Sequence, residues 1–144
     1  MPSAQRRPRP SYLWAILTMR CPRCRRGKLF KGYSPYNLKH VFDMNDKCPV
    51  CGQPTELEVG FWYGTGYVSY ALSVAFIVAW FVAWAVLIGI SISDNRVFWC
   101  LGTCIAALVL LQPWLMRLSR TIYLNFFVHY DDDYEHTKVV EKFD

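Results

Sequence analysis

Residues 21–51 read CPRCRRGKLFKGYSPYNLKHVFDMNDKCPVC, and this stretch decides how the rest of the chain is read. Two Cys-x-x-Cys pairs, Cys21/Cys24 and Cys48/Cys51, bracket the 23 residues 25–47. Each pair sets two sulfurs on one tight turn. Two such turns facing each other offer four thiolates at tetrahedral angles, the ligand set of a closed structural zinc site. The interval is slightly longer than the usual spacing, but loop-closure entropy grows only logarithmically with length, so the extra residues cost little. The expected unit is a four-cysteine zinc ribbon over 21–60 with short β structure, Lys28 to Gly32 forming a strand and Ser34-Pro35 a turn. About forty residues bury too little core to fold alone, so metal binding supplies folding free energy.

Downstream of the second pair the composition changes. Tyr67 to Ile92 runs for 26 residues without a charge, long enough to cross a hydrocarbon core of about 30 Å. Phe61, Trp62, Tyr63, Tyr67 and Tyr70 crowd its start as an interfacial aromatic belt, with Gly60, Gly64 and Gly66 marking a bend or a close backbone approach. Ser93-Asp94-Asn95-Arg96 reads as a tight turn, and Val97 to Met116 spans back, interrupted at its end by Gln112-Pro113. The expected architecture is therefore a zinc ribbon followed by an α-helical transmembrane hairpin over 61–116, with spans at 67–92 and 97–116. Ala71, Ala75, Ala79 and Ala83 recur at every fourth position of the first span, a spacing that admits a second helix closely. Cys100 and Cys104, one turn apart with no His or Met cluster beside them, read as small packing residues facing those alanines, in preference to a copper or haem site.

Charge orients the hairpin. Eleven of the 16 Lys and Arg precede the first span, one (Arg96) lies in the turn, and four follow the second span. By the positive-inside rule both termini are cytoplasmic. A reducing compartment favours metal over disulfide for the two Cys pairs. No signal peptide is expected, since the apolar run Tyr12 to Leu17 is too short. Residues 1–20 read as a basic, proline-rich disordered tail followed by a short helix from Ser11 to Met19, lying on the membrane or packing on the ribbon. Residues 117–144 read as an amphipathic helix to Tyr130, whose Arg117 and Arg120 snorkel to headgroups, and then a solvated acidic tail. The run Arg23, Arg25, Arg26 and Lys28 lacks interleaved aromatics and sits before a membrane anchor, which argues for the anionic inner leaflet over nucleic acid.

CPRCRRGKLF, CPVCG, ELEVGFWYGTGYVSYALS and PWLMRLSRTIYL, spread over about residues 18–130, together resemble the small bacterial membrane proteins catalogued as domain of unknown function 983. The resemblance implies a cytoplasmic zinc-ribbon head on a membrane hairpin of the bacterial inner membrane, with Cys21, Cys24, Cys48 and Cys51 as metal ligands and no catalytic residues. Genes of that family often neighbour those for cytochrome oxidase and its assembly, which implies a respiratory partner. Three function classes follow: a non-enzymatic accessory or assembly protein, a rubredoxin-like iron electron carrier, and a membrane-tethered nucleic-acid or regulatory ribbon. Rubredoxin-type knuckles carry Gly after each second Cys, whereas here Gly52 follows Cys51 but Arg25 follows Cys24, so zinc is expected over iron. The absence of a Ser/His/Asp set, a carboxylate pair or a phosphate loop leaves hydrolase chemistry without a basis, and the accessory protein is the expected function.

The distribution of Lys and Arg yields a direct test. Reporter fusions after Asp144 are expected to report cytoplasm and fusions within the 93–96 turn the opposite side. An external C-terminus would overturn both the hairpin orientation and the reducing environment of the four thiols.

Overall fold

A computed structural model describes residues 8–32 and 34–140. Three α-helices follow one another along the chain: α1 (Tyr12–Leu17), α2 (Thr65–Leu87) and α3 (Arg96–Phe127), with a 3-10 turn over Phe61–Gly64 leading into α2. The 3-10 turn with α2, and α3, are long and apolar enough to cross a membrane. The two long helices form an antiparallel pair. Phe81, Trp84, Val97 and Cys100 meet at one end, and the backbone of Gly64 touches the Tyr123 ring at the other.

Two boundaries differ from expectation. The first span stops at Leu87, not Ile92, because Gly89 takes a left-handed φ of 84° just past the last helical turn. The second apolar segment and the amphipathic segment after it are one helix: α3 runs 32 residues through Pro113 to Phe127. A proline costs a helix one hydrogen bond, and the packing on either side carries the helix through. At the usual rise α3 is about 48 Å long, against about 30 Å of hydrocarbon. Its C-terminal third therefore exceeds what such a core would take up, and there it buries Arg117, Leu118, Ser119, Thr121 and Leu124.

What it buries them against is the cysteine-bearing head. Cys21, Cys24, Leu29, Phe30, Cys48, Leu57, Phe61, Leu124 and Val128 make one core, with Met19, Met44, Tyr123 and Phe127 packed around it. Among the described residues the head contains no β-strand. Three isolated bridges, Arg20 with Lys28, Phe30 with Met44 and Lys47 with Pro54, stand where a β ribbon was expected. The head is too small to extend its ladders, and its loops are held by side chains instead.

Arg117 is the main such side chain, and it does not snorkel. It is 3% exposed, its Nε donates to the Val41 carbonyl at 2.9 Å, and Nη2 donates to Ser34 and His40 carbonyls at 3.3 and 3.2 Å. The guanidinium lies 4.9 Å from the Phe30 ring centroid. Arg120, one turn on, donates to the Phe42 carbonyl and stacks between the Phe42 and Trp62 rings.

The alanines also point elsewhere. Ala71, Ala75, Ala79 and Ala83 are exposed, while Phe76, Trp80, Phe81 and Trp84 are among the half-buried positions of α2. Cys100 and Cys104 are buried, and Cys100 lies against the Phe81 and Trp84 rings, not against the alanines.

Replacing Arg117 by methionine keeps the apolar stem and removes three charged donors from buried carbonyls. Arg117→Met is expected to destabilise the head by about 2–4 kcal/mol, read as a lowered midpoint of head unfolding in detergent. Arg120→Met, with a single main-chain acceptor at the margin of hydrogen-bond length, is expected to cost less. Equal midpoints for both variants and the native chain would refute the clamp.

Candidate metal centre

The two Cys pairs sit on turns closed by the same kind of main-chain bond. Arg25 N–H donates to the Cys21 carbonyl at 2.8 Å and Gly52 N–H to the Cys48 carbonyl at 2.9 Å. Cys21 N–H reaches the Gly27 carbonyl and Cys48 N–H the Gln53 carbonyl, so each loop folds back under its own sulfurs. Both turns end in the left-handed region: φ is 54° at Arg25 and 70° at Gly52. The glycine-like geometry thus exists at both knuckles, although only one has a glycine. Holding Arg25 there costs about 1 kcal/mol. Its side chain offsets that cost by stacking 4.2 Å from the Tyr130 centroid and donating to the Pro10 carbonyl at 3.2 Å.

All four sulfurs lie within 4.8 Å of one another. Cys21 Sγ is 3.7 Å from Cys51 Sγ, and Cys24 Sγ is 3.7 Å from Cys48 Sγ. A tetrahedron with metal–sulfur bonds of 2.3 Å has edges of about 3.8 Å. These distances therefore fit a four-thiolate metal ion, and all six cysteines are free of disulfides. Cys21, Cys24 and Cys48 are buried and Cys51 is half-buried, and these four thiolates would by themselves complete the tetrahedral set of a bound ion. Gly27 N–H points at Cys24 Sγ at 3.4 Å.

Without a cation the crowded thiols divide their protons unequally. The hydrogen bond shared with Cys24 pushes the Cys21 thiol far up, and the same bond pulls Cys24 far down. Cys48 is lowered to about 6, chiefly by the Cys21 hydrogen bond. Bringing all four to the thiolate form requires a positive charge at their centre, which a divalent ion supplies.

Several residues around the cluster escaped the sequence reading. Arg23, taken as part of a solvated basic run, is 2% exposed. Its Nη2 donates to the Thr137 carbonyl at 2.7 Å, the Thr137 hydroxyl at 2.9 Å and the Lys138 carbonyl at 3.1 Å. Gln53, just past the second knuckle, donates to the Val140 carbonyl at 2.6 Å and accepts from the Val140 N–H at 3.0 Å. The acidic tail is therefore strapped across both knuckles and not free in solvent. Thr137 and the Asp133 N–H hydrogen-bond Asp131, and with Arg23 nearby they hold its carboxyl below the usual range. The basic N-terminal segment is held too: residues 8–10 lie along the head through Arg26 to Pro8, Arg25 to Pro10 and an Arg9–Asp132 ion pair. The remainder of the segment expected to be disordered, residues 1–7, lies outside the described residues. His129 and His136, on either side of the acidic run, are not part of the metal-competent cluster found among the described residues.

The model of one protein family, described as protein of unknown function (DUF983), matches residues 38–117. The chain belongs to this family. The matched span starts between the knuckles, carries Cys48 and Cys51 and both long apolar segments, and ends at Arg117. No curated protein and no solved structure matches this DUF983 chain.

Gly27 supplies the sharpest test of the centre. A Cβ there would lie 2.2 Å from Cys48 Sγ, whereas one at Gly32 would meet nothing within 4 Å. Gly27→Ala is expected to weaken metal retention about tenfold or more, measured as the rate of transfer to a chromogenic chelator. Gly32→Ala should release metal at the native rate. Equal rates for the two variants would show that the four sulfurs do not close on a common ion.

Proposed function

We propose that this DUF983 chain is a non-enzymatic accessory protein of the bacterial inner membrane, in which a zinc-bound cytoplasmic head presents a fixed docking surface to a membrane-protein partner. The observation that carries this reading is the shared core: the cysteine cluster packs on Leu124 and Val128, at the end of the same helix that forms the second apolar span. A head rooted in this way cannot swing, and a surface on it keeps a constant height and direction relative to the bilayer. Four protein ligands suit zinc in a structural role, and a reducing compartment suits four free thiols. The exposed face of α2, where Ala71, Ala75, Ala79 and Ala83 alternate with valines, suits close approach of a partner helix. Cytochrome oxidase or its assembly machinery is the partner that the family resemblance implies.

The left-handed φ of Arg25 gives a second reading some footing. It supplies at the first knuckle the backbone that an iron centre of the rubredoxin type requires, so the chain as an electron carrier is the alternative.

Elemental analysis of protein purified in mild detergent separates the two. One zinc per chain and no visible absorption supports the accessory protein, and stoichiometric iron with a visible spectrum moves the reading to electron transfer. The docking role has its own test. Cytochrome oxidase subunits should co-purify with the native chain and be lost from the Cys48→Ser/Cys51→Ser variant, with the hairpin still inserted. They should be weakened by Ala75→Leu/Ala79→Leu without loss of zinc. Full association in both variants would overturn the role.

A further inference from the structure

The segment between the two knuckles is a compact knob with an unusual surface. Three consecutive tight turns build it: Asn37 N–H to the Ser34 carbonyl at 3.0 Å, His40 N–H to the Asn37 carbonyl at 2.9 Å, and Asp43 N–H to the His40 carbonyl at 3.2 Å. Tyr36 and Leu38 at its tip are 62% and 76% exposed, and Lys31 and Lys39 beside them are exposed as well. A head this small has few apolar residues to spare, yet it places these two large ones outward at the tip of the segment.

Where the knob sits along α3 explains the surface. Arg117 binds the carbonyls of Ser34, His40 and Val41. Helical side chains lean toward their own N-terminus, so this guanidinium reaches back toward the apolar span and draws the knob with it. Twenty residues from the start of α3, about 30 Å of rise, bring the helix to this turn, so the knob lies at the boundary of the hydrocarbon. The other helix agrees. Gly64 meets Tyr123, which puts the exposed rings of Tyr67 and Tyr70 level with the same turn of α3, the position of an aromatic belt. Moving on along α3, Phe42 and Met44 meet Arg120, and the cysteines meet Leu124 and Val128. The metal cluster is thus the far end of the head, about 10 Å beyond the knob, and the knob is its foot.

We infer that the turn segment 34–42 inserts into the bilayer interface, with Tyr36 and Leu38 among the acyl chain ends and Lys31 and Lys39 at the headgroups. This rests on the membrane reading above and adds a second, non-helical contact with lipid. The turns and Arg117 pair the carbonyls of Ser34, Asn37, His40 and Val41 within the protein, and the rest of the segment's main chain meets the hydrated headgroup region. Two separate lipid contacts, the belt of α2 and the knob, fix the tilt of the head as well as its height.

The test uses the full chain in lipid vesicles with a diazirine-bearing leucine analogue at position 38, and in a second preparation at position 50. Val50 is also exposed but belongs to the second knuckle, at the far end. Illumination and mass spectrometry are expected to find lipid adducts at position 38 and their loss at position 50. Absence of lipid adducts at 38, in a chain that resists carbonate extraction, would overturn the inference and leave the membrane hairpin standing. Adducts to another protein at 38 would also overturn it and make the knob a docking site. A chain that carbonate extracts would remove the membrane reading, and this inference with it.

Discussion

Helix α3 is longer than a hydrocarbon core is thick, and the rest of the structure depends on that excess. Thirty-two residues of continuous helix leave roughly a dozen beyond the hydrocarbon. A polar head elsewhere on the chain could have covered them loosely. Here the excess is the central beam of the head: Leu124 is fully buried among the cysteines, Thr121 and Ser119 are closed against neighbouring turns, and Arg117 is enclosed by carbonyls. The head and the helix pair therefore share one core, in which Leu124 of α3 packs with Leu29, Phe30 and Leu57 beside the sulfurs.

This resolves the shortage that a forty-residue metal module faces. Such a module has too little apolar surface of its own, and metal ligation ordinarily supplies the difference. In this chain helix α3 and the 3-10 turn lend part of the core, through Phe61, Tyr123 and Phe127, the rings of Tyr123 and Phe127 lying 5.0 and 5.4 Å from that of Phe61. Gly64 lets Tyr123 that close: its absent Cβ would sit 2.2 Å from the Tyr123 hydroxyl oxygen. The left-handed Gly60 turns the chain out of the head and into the 3-10 turn that carries Phe61 to this stack. The joint between head and hairpin is consequently aromatic and rigid, not a linker.

The cysteine quartet and the two apolar spans were legible in the sequence because each is a local pattern, a spacing in one case and a run in the other. Helix continuity was not. Hydropathy falls at Arg117, and that fall marks a change of surroundings, not of backbone; no residue from Trp114 to Phe127 forbids a helix. Gly89 was a visible stop signal that the uncharged run concealed. The alanine repeat misled for a different reason. Periodicity identifies a face but not its neighbour, and the face toward α3 carries rings, with Trp80 and Trp84 turned inward. Arg23 and Arg117 were read as surface charges from composition alone. A buried guanidinium needs acceptors distant in sequence, 76 residues away for Val41, and no local pattern announces those.

The tail strap follows from the same logic of mutual support. Arg23 sits between the two cysteines of the first knuckle, and Gln53 lies two positions past the second. Both are almost fully buried, and both spend their hydrogen bonds on residues 137–140. Neither side chain could be buried without acceptors, since an unpaired amide or guanidinium in that position would cost more than the contact returns. The tail supplies those acceptors, and Asp131 adds a carboxylate 3.9 Å from Arg23. Arg25 completes the pattern: it accepts a strained backbone so that its guanidinium can lie against Tyr130 at the root of the tail. The two knuckles are 23 residues apart in sequence and, among the described residues, joined by no strand, and the strap binds one residue beside each of them. Helix α3 through Leu124 and the tail through residues 137–140 thus both support the knuckles that bring the four sulfurs to tetrahedral distances.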